Sequence, residues 1–538
     1  MDEHRDAMWI LGLSVGHNGS VALIEDGRVR VAIQLERLTR RKRYPARLFE
    51  DRLDEGVGEA IHYCLRYAGI AAADIDAVAA STPHRVPDSF CWPYPPVQWI
   101  PHHRAHAEYV LHYSDLAPGL ILVVDGHGSH SHDRCRFRPE RVAPGASLHE
   151  GEAETVSAYH FDGAELRLVY RNEGTKDRAT GVYRSSVGAL WELGSAICFG
   201  TGDQAGKLMG LAGFGSQRRA GKLAWLETDG RVSTDLRPLF EPRLPYRDLA
   251  MEVQAATTDV LLELLTNLRS SVTGDVLYYS GGVALNIATN EAIHRSGLFS
   301  RINMNGSCED NGTAIGAALA LDHDSSGRRV GEPATEYLGA DYDADLLWSR
   351  ARLFPVRVTI LGSGETTAAA AERIAEGHVI GWFQDRGEFG PRALGNRSLL
   401  ADPRQECVKR LVNEKVKRRE SFRPFAGSTT LQGGADYFDL EGESPLMLRQ
   451  AGVTSRALPG VTHVDGTCRV HTVTPESNDS FHGLLTEFAS RTGVPVVLNT
   501  SMNLPGDPIV ETPDDAILLL LRSELDCLFL GNLLVVRK

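Results

Sequence analysis

Three short apolar runs with period-two alternation open the chain: WILGLSVG over 9–16, SVALIEDG over 20–27 and RVRVAIQLERL over 28–38. Alternating Val, Ile and Leu predict three strands, and Asp26-Gly27 between the second and third predicts a tight hairpin. Helical spacing follows over 53–68, 247–269, 311–324 and 365–377. Between these lie apolar strands: IDAVAAST at 75–82, GLILVVDG at 119–126, VLYYS at 276–280 and HVIGWF at 378–383. VPVVLNTSMNLPGDPIV predicts a strand and then a loop that exposes Asn499, Thr500, Ser501 and Asn503, and the chain closes with a helix over 514–524 and a strand pair over 525–536. One passage repeats in outline: GLSVGHNGSVAL at 12–23 is echoed by GLILVVDGHGSHSH at 119–132. That echo makes a hairpin turn of His127, His130 and His132 rather than a second metal site, and suggests a fold built from two similar halves. Alternating strands and helices make the chain α/β. The polar run 324–347 is the best place for a boundary, giving domains 1–345 and 346–538.

Composition excludes several classes. At 538 residues the chain is too long for one core, and 42% hydrophobic with 24% charged residues is ordinary for a globular enzyme. A formal charge of -13 argues against nucleic acid as the main partner. The eight cysteines are scattered without a CxxC pair, which fits buried thiols in a reducing cytoplasm. No apolar run reaches about 18 residues, and early charges in MDEHRDAMWILG speak against a signal peptide. The expectation is a cytoplasmic protein without membrane contact; whether it is a homodimer is left open.

Against that acidic background the stretch 386–423 stands out, with eleven Lys/Arg against five Asp/Glu. Such a reversal needs an anionic client. Arg392, Arg397 and Arg423 stand among Gly, Pro and Phe, and ordered guanidinium forks suit phosphate oxygens. Lys409 to Arg419 reads equally well as a solvated basic face.

A second constellation is spread over the first half. PHHRAHAEY spaces His102 and His106 four apart, so that both imidazoles leave one helical face. Asp125 ends an apolar strand and Asp310 opens the helix CEDNGTAIGAAL, where a helix N-cap is the plainer role. Together the four make an N/O set suited to iron, zinc or manganese. His17, in the loop GHNG, sits beside glycines that let a ligand approach the backbone. GTGDQAGKLMGLAGFG is a Gly-rich loop around Lys207 but no Walker loop, and Gly281-Gly282 with Asn286 follows a strand. PDSFCWPYPPVQW, at 87–99, is an irregular aromatic loop able either to line an acceptor pocket or to pack as a lid.

The runs GEFGPRALGNRS and KRRESFRPFA, with the GK-MGLA pattern, resemble the signature of the NodU/CmcH carbamoyltransferases, a family that includes nebramycin-type antibiotic O-carbamoyltransferases, and the likeness runs from about Ile10 to Val536. The resemblance implies an N-terminal actin-like ATPase (Kae1-like) domain followed by a YrdC-like α/β domain. It implies His102, His106, Asp125 and Asp310 as metal ligands, with Fe(2+) the usual ion, and His17 as the catalytic base. It implies Lys42, Lys207, Gly281, Gly282, Asn286 and Arg392 as adenylate or nucleotide contacts, and Lys417, Arg423, Arg469 and Asn499 as carbamoyl phosphate contacts. The implied reaction makes carbamoyl-AMP from carbamoyl phosphate and ATP, with Mg(2+), and passes the carbamoyl group to a hydroxyl of a small molecule. The aromatic loop inclines that acceptor toward a glycosylated macrolide. Two alternatives stand beside it: carbamoyl transfer to a tRNA or protein, and a non-catalytic nucleotide-binding regulator of the same fold.

Overall fold

The structure, a computed structural model, describes residues 7–216, 222–240, 245–270, 272–362 and 364–538. Residues 1–6, whose charges entered the signal-peptide argument, lie outside the described residues. Contacts divide the chain into two compact units, 1–39 with 43–335 and 40–42 with 336–538.

The first unit holds two larger sheets of the same plan. In the first, the order is Arg28–Gln34, Ser20–Glu25, Trp9–Ser14, Ala77–Ser81, Val97–Trp99. The first three run antiparallel, and the last two continue parallel to Trp9–Ser14. In the second sheet Gly119–Val124 takes the central place, antiparallel to Ala153–Phe161 and parallel to Val276–Ser280. Leu166–Gly174 and Arg301–Met304 flank these, and Val142–His149 adds an edge. The repeated order, three antiparallel strands then two parallel ones, is the duplicated layout expected of an actin-like ATPase.

Two expectations give way here. The partner of Gly119–Val124 is not the run that follows it, so His127, His130 and His132 do not form a hairpin turn; Ser131–Arg136 is a 3₁₀ turn and the return strand begins only at Ala153. Residues 133–141, DRCRFRPER, carry too few apolar positions to fill a buried strand. The strand expected over 28–38 stops at Gln34, and Leu35–Thr39 is helical, because Leu-Glu-Arg-Leu prefers helix and buries Leu35 and Arg37.

The helix His102–His112 is buried along its whole length, and Thr313–Ser326 packs on it. Their backbones nearly touch: a Cβ on Gly316 would stand 1.7 Å from the Ala105 carbonyl oxygen. This close approach locks the histidine helix to the end of the Asp310 turn.

The second unit is α/β on one ten-stranded mixed sheet. Four adjacent strands carry its site: Arg397–Ala401, Val496–Ser501, Ala426–Thr430 and Thr467–Val473. One face packs Phe481, Leu484 and Phe488 of the helix Asp479–Thr492, and the other packs Phe425, Val470 and Leu498. Four cysteines are buried, but Cys135 and Cys407 are exposed, so burial does not describe the thiols as a set. Among the described residues no helix is long and apolar enough to cross a membrane.

Candidate functional site

In the first unit His102, His106, Asp125 and Asp310 are all buried, and one ligand atom from each lies within 4.8 Å of the others. His102 Nε2 and His106 Nε2 face each other at 3.2 Å, and Asp125 Oδ2 stands 3.5 and 3.3 Å from them. Asp310 Oδ1 is 3.8 Å from His102 Nε2. Four ligand atoms tetrahedrally placed about 2.1 Å from one ion stand about 3.4 Å apart, so the spacing fits a shared divalent metal. The outer nitrogens are spoken for: His102 Nδ1 meets Ser81 Oγ at 3.2 Å and His106 Nδ1 meets Ser280 Oγ at 3.4 Å. That fixes both rings with Nε2 turned inward. Behind them Glu154 accepts from the backbone N–H of His103 and Ser129, and Ser129 Oγ accepts from His102 N. Ser81, Ser280, Ser129 and Glu154 carry no local pattern that sequence reading could have used.

Asp310 is not a side-chain cap. It sits in the turn Asp310–Gly312 before Thr313–Ser326, and only its backbone carbonyl binds Ser14 Oγ and Thr313 Oγ1. Its carboxylate is left for the cluster, with Oδ2 3.3 Å from His17 Nδ1. The His17 side chain is 54% exposed, so it joins the buried cluster to solvent. Burial would lower the His102 pKa, but the carboxylates of Asp125 and Asp310 outweigh it and lift it to about 10. Burial leaves His106 below the ordinary imidazole value.

The Gly281-Gly282 turn packs on the same place. Gly281 has φ +92°, and a Cβ on Gly282 would lie 3.1 Å from Asp125 Oδ1. Asn286 caps the helix Ile287–Arg295 through Oδ1, which accepts from Ala288 N and Thr289 N, while its Nδ2 is buried without a partner. Lys207 stands not in a loop but on the helix Ala205–Ala212, its Nζ 5.7 Å from the Phe199 ring centroid. Two of the glycines, Gly206 and Gly210, are helical because the apolar face of AGKLMGLA is buried. A cavity of about 430 Å³ is lined by His84, His127, His130, Glu152, Tyr183 and Glu192. It adjoins the His17 loop, since a Cβ on Gly16 would stand 3.1 Å from His84. The aromatic loop does not line it: Phe90 meets Trp92 and Trp99 edge-on, and Trp92 meets Tyr94 at a tilt.

The second unit gathers several buried cations that Glu420, 3.9 Å from Arg423, offsets only in part. Arg469 and Arg419 each bury Nε without a hydrogen-bond partner among the described residues. Burial, then the charges of Arg392, Arg419 and Arg423, holds Arg469 well below the ordinary guanidinium pKa. Burial and Arg423 lower Arg419 to about 9, and burial also lowers Arg423. Lys417 is buried, with Nζ donating to the Ser501 carbonyl at 2.8 Å and Asn503 Oδ1 at 2.7 Å. Burial first, then Arg419, Lys42 and Arg423, depresses its pKa strongly. Lys42 itself is exposed, and its segment counts with this unit. Such a cluster asks for an anion with several charges.

Local geometry explains the convergence. Residues Asn413–Lys417 form a π-helical turn and Arg418 follows at φ +40°, so Lys417 and Arg419 both turn inward while Arg418 stays exposed. π turns recur at functional sites. Arg419 was legible only as part of the basic run; its guanidinium lies 4.3 Å from the Phe425 ring centroid. Arg397, expected on phosphate, is instead structural: fully buried, donating to the Gln384, Asp385 and Asn396 carbonyls, 3.6 Å from the Phe383 centroid. Asn499 and Asn503, expected as exposed donors, are buried, Asn499 within the strand Val496–Ser501.

Comparison with known proteins shows the family. Residues 9–94 and 92–319 match the family described as carbamoyltransferase N-terminus, and 371–537 match carbamoyltransferase C-terminus. Nodulation protein NolNO of Sinorhizobium fredii is 32% identical over 97% of this chain and 79% of its own. The 3'-hydroxymethylcephem-O-carbamoyltransferase of Streptomyces clavuligerus is 32% identical over 59% of this chain and 61% of its own. Among solved structures, full-length HypF in its phosphate- and nucleotide-bound form aligns at 14% identity and a TM-score of 0.42, covering 60% of this chain and 56% of that one. With family matches spanning both units, the chain belongs to the NodU/CmcH carbamoyltransferases and is a carbamoyl-transferring enzyme.

Proposed function

We propose that this enzyme makes carbamoyl-AMP from carbamoyl phosphate and ATP and carbamoylates a hydroxyl of a specialised metabolite, an antibiotic scaffold among them. The observation that carries this reading is the buried guanidinium cluster of Arg469, Arg419 and Arg423, only partly offset by Glu420, in an otherwise acidic carbamoyltransferase. Both co-substrates are polyanions, and the cluster offers donors to their phosphates. Water displaces phosphate from carbamoyl phosphate and leaves carbamate. A carbamate oxygen then attacks the α-phosphorus of ATP and pyrophosphate departs; Mg(2+), when bound to the nucleotide, would offset the charge on the leaving phosphates. Arg392, Arg423 and Arg469 hold the phosphates, and Lys417 adds charge where it develops.

The metal cluster supports the transfer step. An ion held by His102, His106, Asp125 and Asp310, with iron as the expected occupant, would supply Lewis acidity to the carbamoyl carbonyl. In the first unit Lys207, Gly281, Gly282 and Asn286 are the adenylate contacts of this reading; Asn286 Nδ2 lacks an acceptor among the described residues, and the diglycine keeps side chains away from Asp125. His17 takes the acceptor's proton as its oxygen attacks the carbonyl carbon and AMP leaves. The polar cavity beside the His17 loop is the acceptor's place in this reading, which turns the choice from the apolar macrolide face toward its hydroxylated parts.

The test is to incubate the protein with ATP and carbamoyl phosphate without acceptor, measuring pyrophosphate and searching for carbamoyl-AMP by mass spectrometry. Pyrophosphate that depends on carbamoyl phosphate, with a carbamoyl-AMP mass, is expected. Nucleotide binding without turnover would sink the reading in favour of a regulator.

A further inference from the structure

The strands Ile380–Phe383 and Arg397–Ala401 run antiparallel, and residues 384–396 join them as a long loop. A loop of this length needs internal acceptors for its backbone N–H groups wherever it is buried. Glu388 supplies one. Its carboxylate is buried, and Oε1 accepts from the backbone N–H of Leu394 at 2.7 Å, Asn396 at 2.8 Å and Arg397 at 3.1 Å. One oxygen near the loop's start thus gathers three donors from its end. Charge-assisted bonds of this kind are about twice as strong as neutral ones.

Other fasteners surround this one. Arg397 donates across the loop's mouth to the Gln384 and Asp385 carbonyls, and Tyr337 Oη donates to the Leu394 carbonyl at 2.8 Å. Asn478 Nδ2 donates to Asn396 Oδ1 at 2.9 Å. Gly390 and Gly395 make the bends, at φ +107° and +110°, and a Cβ on Gly395 would stand 2.3 Å from the Phe481 ring. From Gly387 to Arg397 every residue is buried except Pro391 and Arg392, which form the loop's tip. The tip lies against the sheet beside Arg469: the Ala393 carbonyl accepts from Asn499 Nδ2 at 3.2 Å, and Asn499 stands across Ala426 from Arg469 on adjacent strands.

Of the charges that disfavour the Arg469 cation, Arg392 comes first, ahead of Arg419 and Arg423. Like charges repel, so a slack tip would carry Arg392 away from Arg469 whenever no anion is bound. The clasp at Glu388 opposes that. Its own charge is answered by backbone N–H groups, so it fastens the loop without occupying the guanidiniums that an anion must meet. We propose that Glu388 is a positioning residue for the anion site of the second unit: by gathering the N–H groups of Leu394, Asn396 and Arg397, it fixes the loop that holds Arg392 beside Arg469. Held there before the anion arrives, Arg392 has less freedom to lose on binding. The inference rests on the phosphate reading of that site and adds what keeps its cations together. Glu388→Gln keeps the shape and an acceptor oxygen but loses the charge. It also puts an NH₂ where Oε2 is closed to solvent and has no partner among the described residues, so the clasp should loosen.

The experiment measures the affinity of the full chain for pyrophosphate by calorimetry, in wild type, Glu388→Gln, Arg392→Ala and the variant carrying both, with thermal melting of each as the report on folding. Glu388→Gln is expected to weaken binding about three- to tenfold, the loss of one pre-ordered side chain. With Arg392 already replaced, the same change should cost less than about twofold, because the clasp then has no guanidinium to hold. Should Glu388→Gln not fold, Tyr337→Phe carries the test: it removes one fastener of the same loop and is expected to weaken binding about two- to threefold, again only while Arg392 is present. An equal loss with and without Arg392 would mark a general effect on the fold and overturns the proposal. So does wild-type affinity in a folded Glu388→Gln. Wild-type affinity in Arg392→Ala would overturn the phosphate reading of that arginine together with the proposal.

Discussion

Replacing Arg469 by Met should raise the stability of the ligand-free protein while abolishing its response to phosphate. Arg469 buries Nε without a partner, and burial together with Arg392, Arg419 and Arg423 disfavours its charge. Methionine follows the same unbranched path without the guanidinium. Burying an unpaired ion costs several kcal/mol, which partial exposure reduces here to about 1–3 kcal/mol. For a folding unit the size of 336–538, each kcal/mol moves Tm by about 2–4 °C, so the variant should melt about 2–12 °C higher. Orthophosphate at about a hundred times its Kd should stabilise wild type by about 2.7 kcal/mol, enough to offset most or all of that difference. Scanning calorimetry with and without phosphate reads both effects. A lower ligand-free Tm in the variant would mean that the protein itself compensates the guanidinium. A phosphate shift equal to wild type would remove Arg469 from the site.

Metal binding should release a proton. Asp125 and Asp310, against burial, hold the folded His102 near 10, above its unfolded value, so its contribution to metal-free stability is complete below about pH 6.5 and fades as pH rises through about 10. Zinc added at pH 8 must displace that proton, and calorimetry in buffers of different ionisation enthalpy should count about one; no buffer dependence would refute it. His17→Ala should keep carbamoyl-phosphate-dependent pyrophosphate release and lose transfer to an acceptor, whereas loss of both would remove His17 as the base. Gly281→Ala places a Cβ 2.3 Å from the Val124 carbonyl oxygen at φ +92°, so it should cost about 2–4 kcal/mol and deplete metal by elemental analysis, and wild-type Tm and metal content would contradict the packing.

How much was legible depended on whether a role is local. His102 and His106 share a helical turn, and their spacing alone places two imidazoles on one side. Asp310 was ambiguous because Asp both caps helices and ligates; only the backbone course from Glu309 into Thr313 shows the side chain leaving the cap. Arg397 and Arg419 belong to one basic run and look alike in sequence. Arg397 meets three carbonyls and a phenyl ring; Arg419 meets one carbonyl and a phenyl ring and keeps Nε without a partner among the described residues, and the surrounding structure decides which. Asn499 was placed in a loop because polar residues follow it. The strand in fact runs to Ser501, and Asn499 is a buried polar residue within it, which breaks the usual alternation.

The charges also say why two sites are needed. The first unit converges two carboxylates and two imidazoles, a set that attracts a cation and repels free phosphate. The second converges guanidiniums that attract phosphate and would repel a divalent ion not already bound to one. In the proposed reaction, activation of a carbamate by ATP would draw on the second environment, because charge accumulates on phosphate oxygens as pyrophosphate leaves. Transfer to a hydroxyl would draw on the first, because the acceptor's proton must find a base and the carbonyl an electrophile. A single pocket holding both sets would neutralise itself: Asp125 and Asp310 would pair with the arginines, and neither metal nor phosphate would have a reason to bind. Confining each set to its own folding unit keeps both unsatisfied, and so keeps both competent.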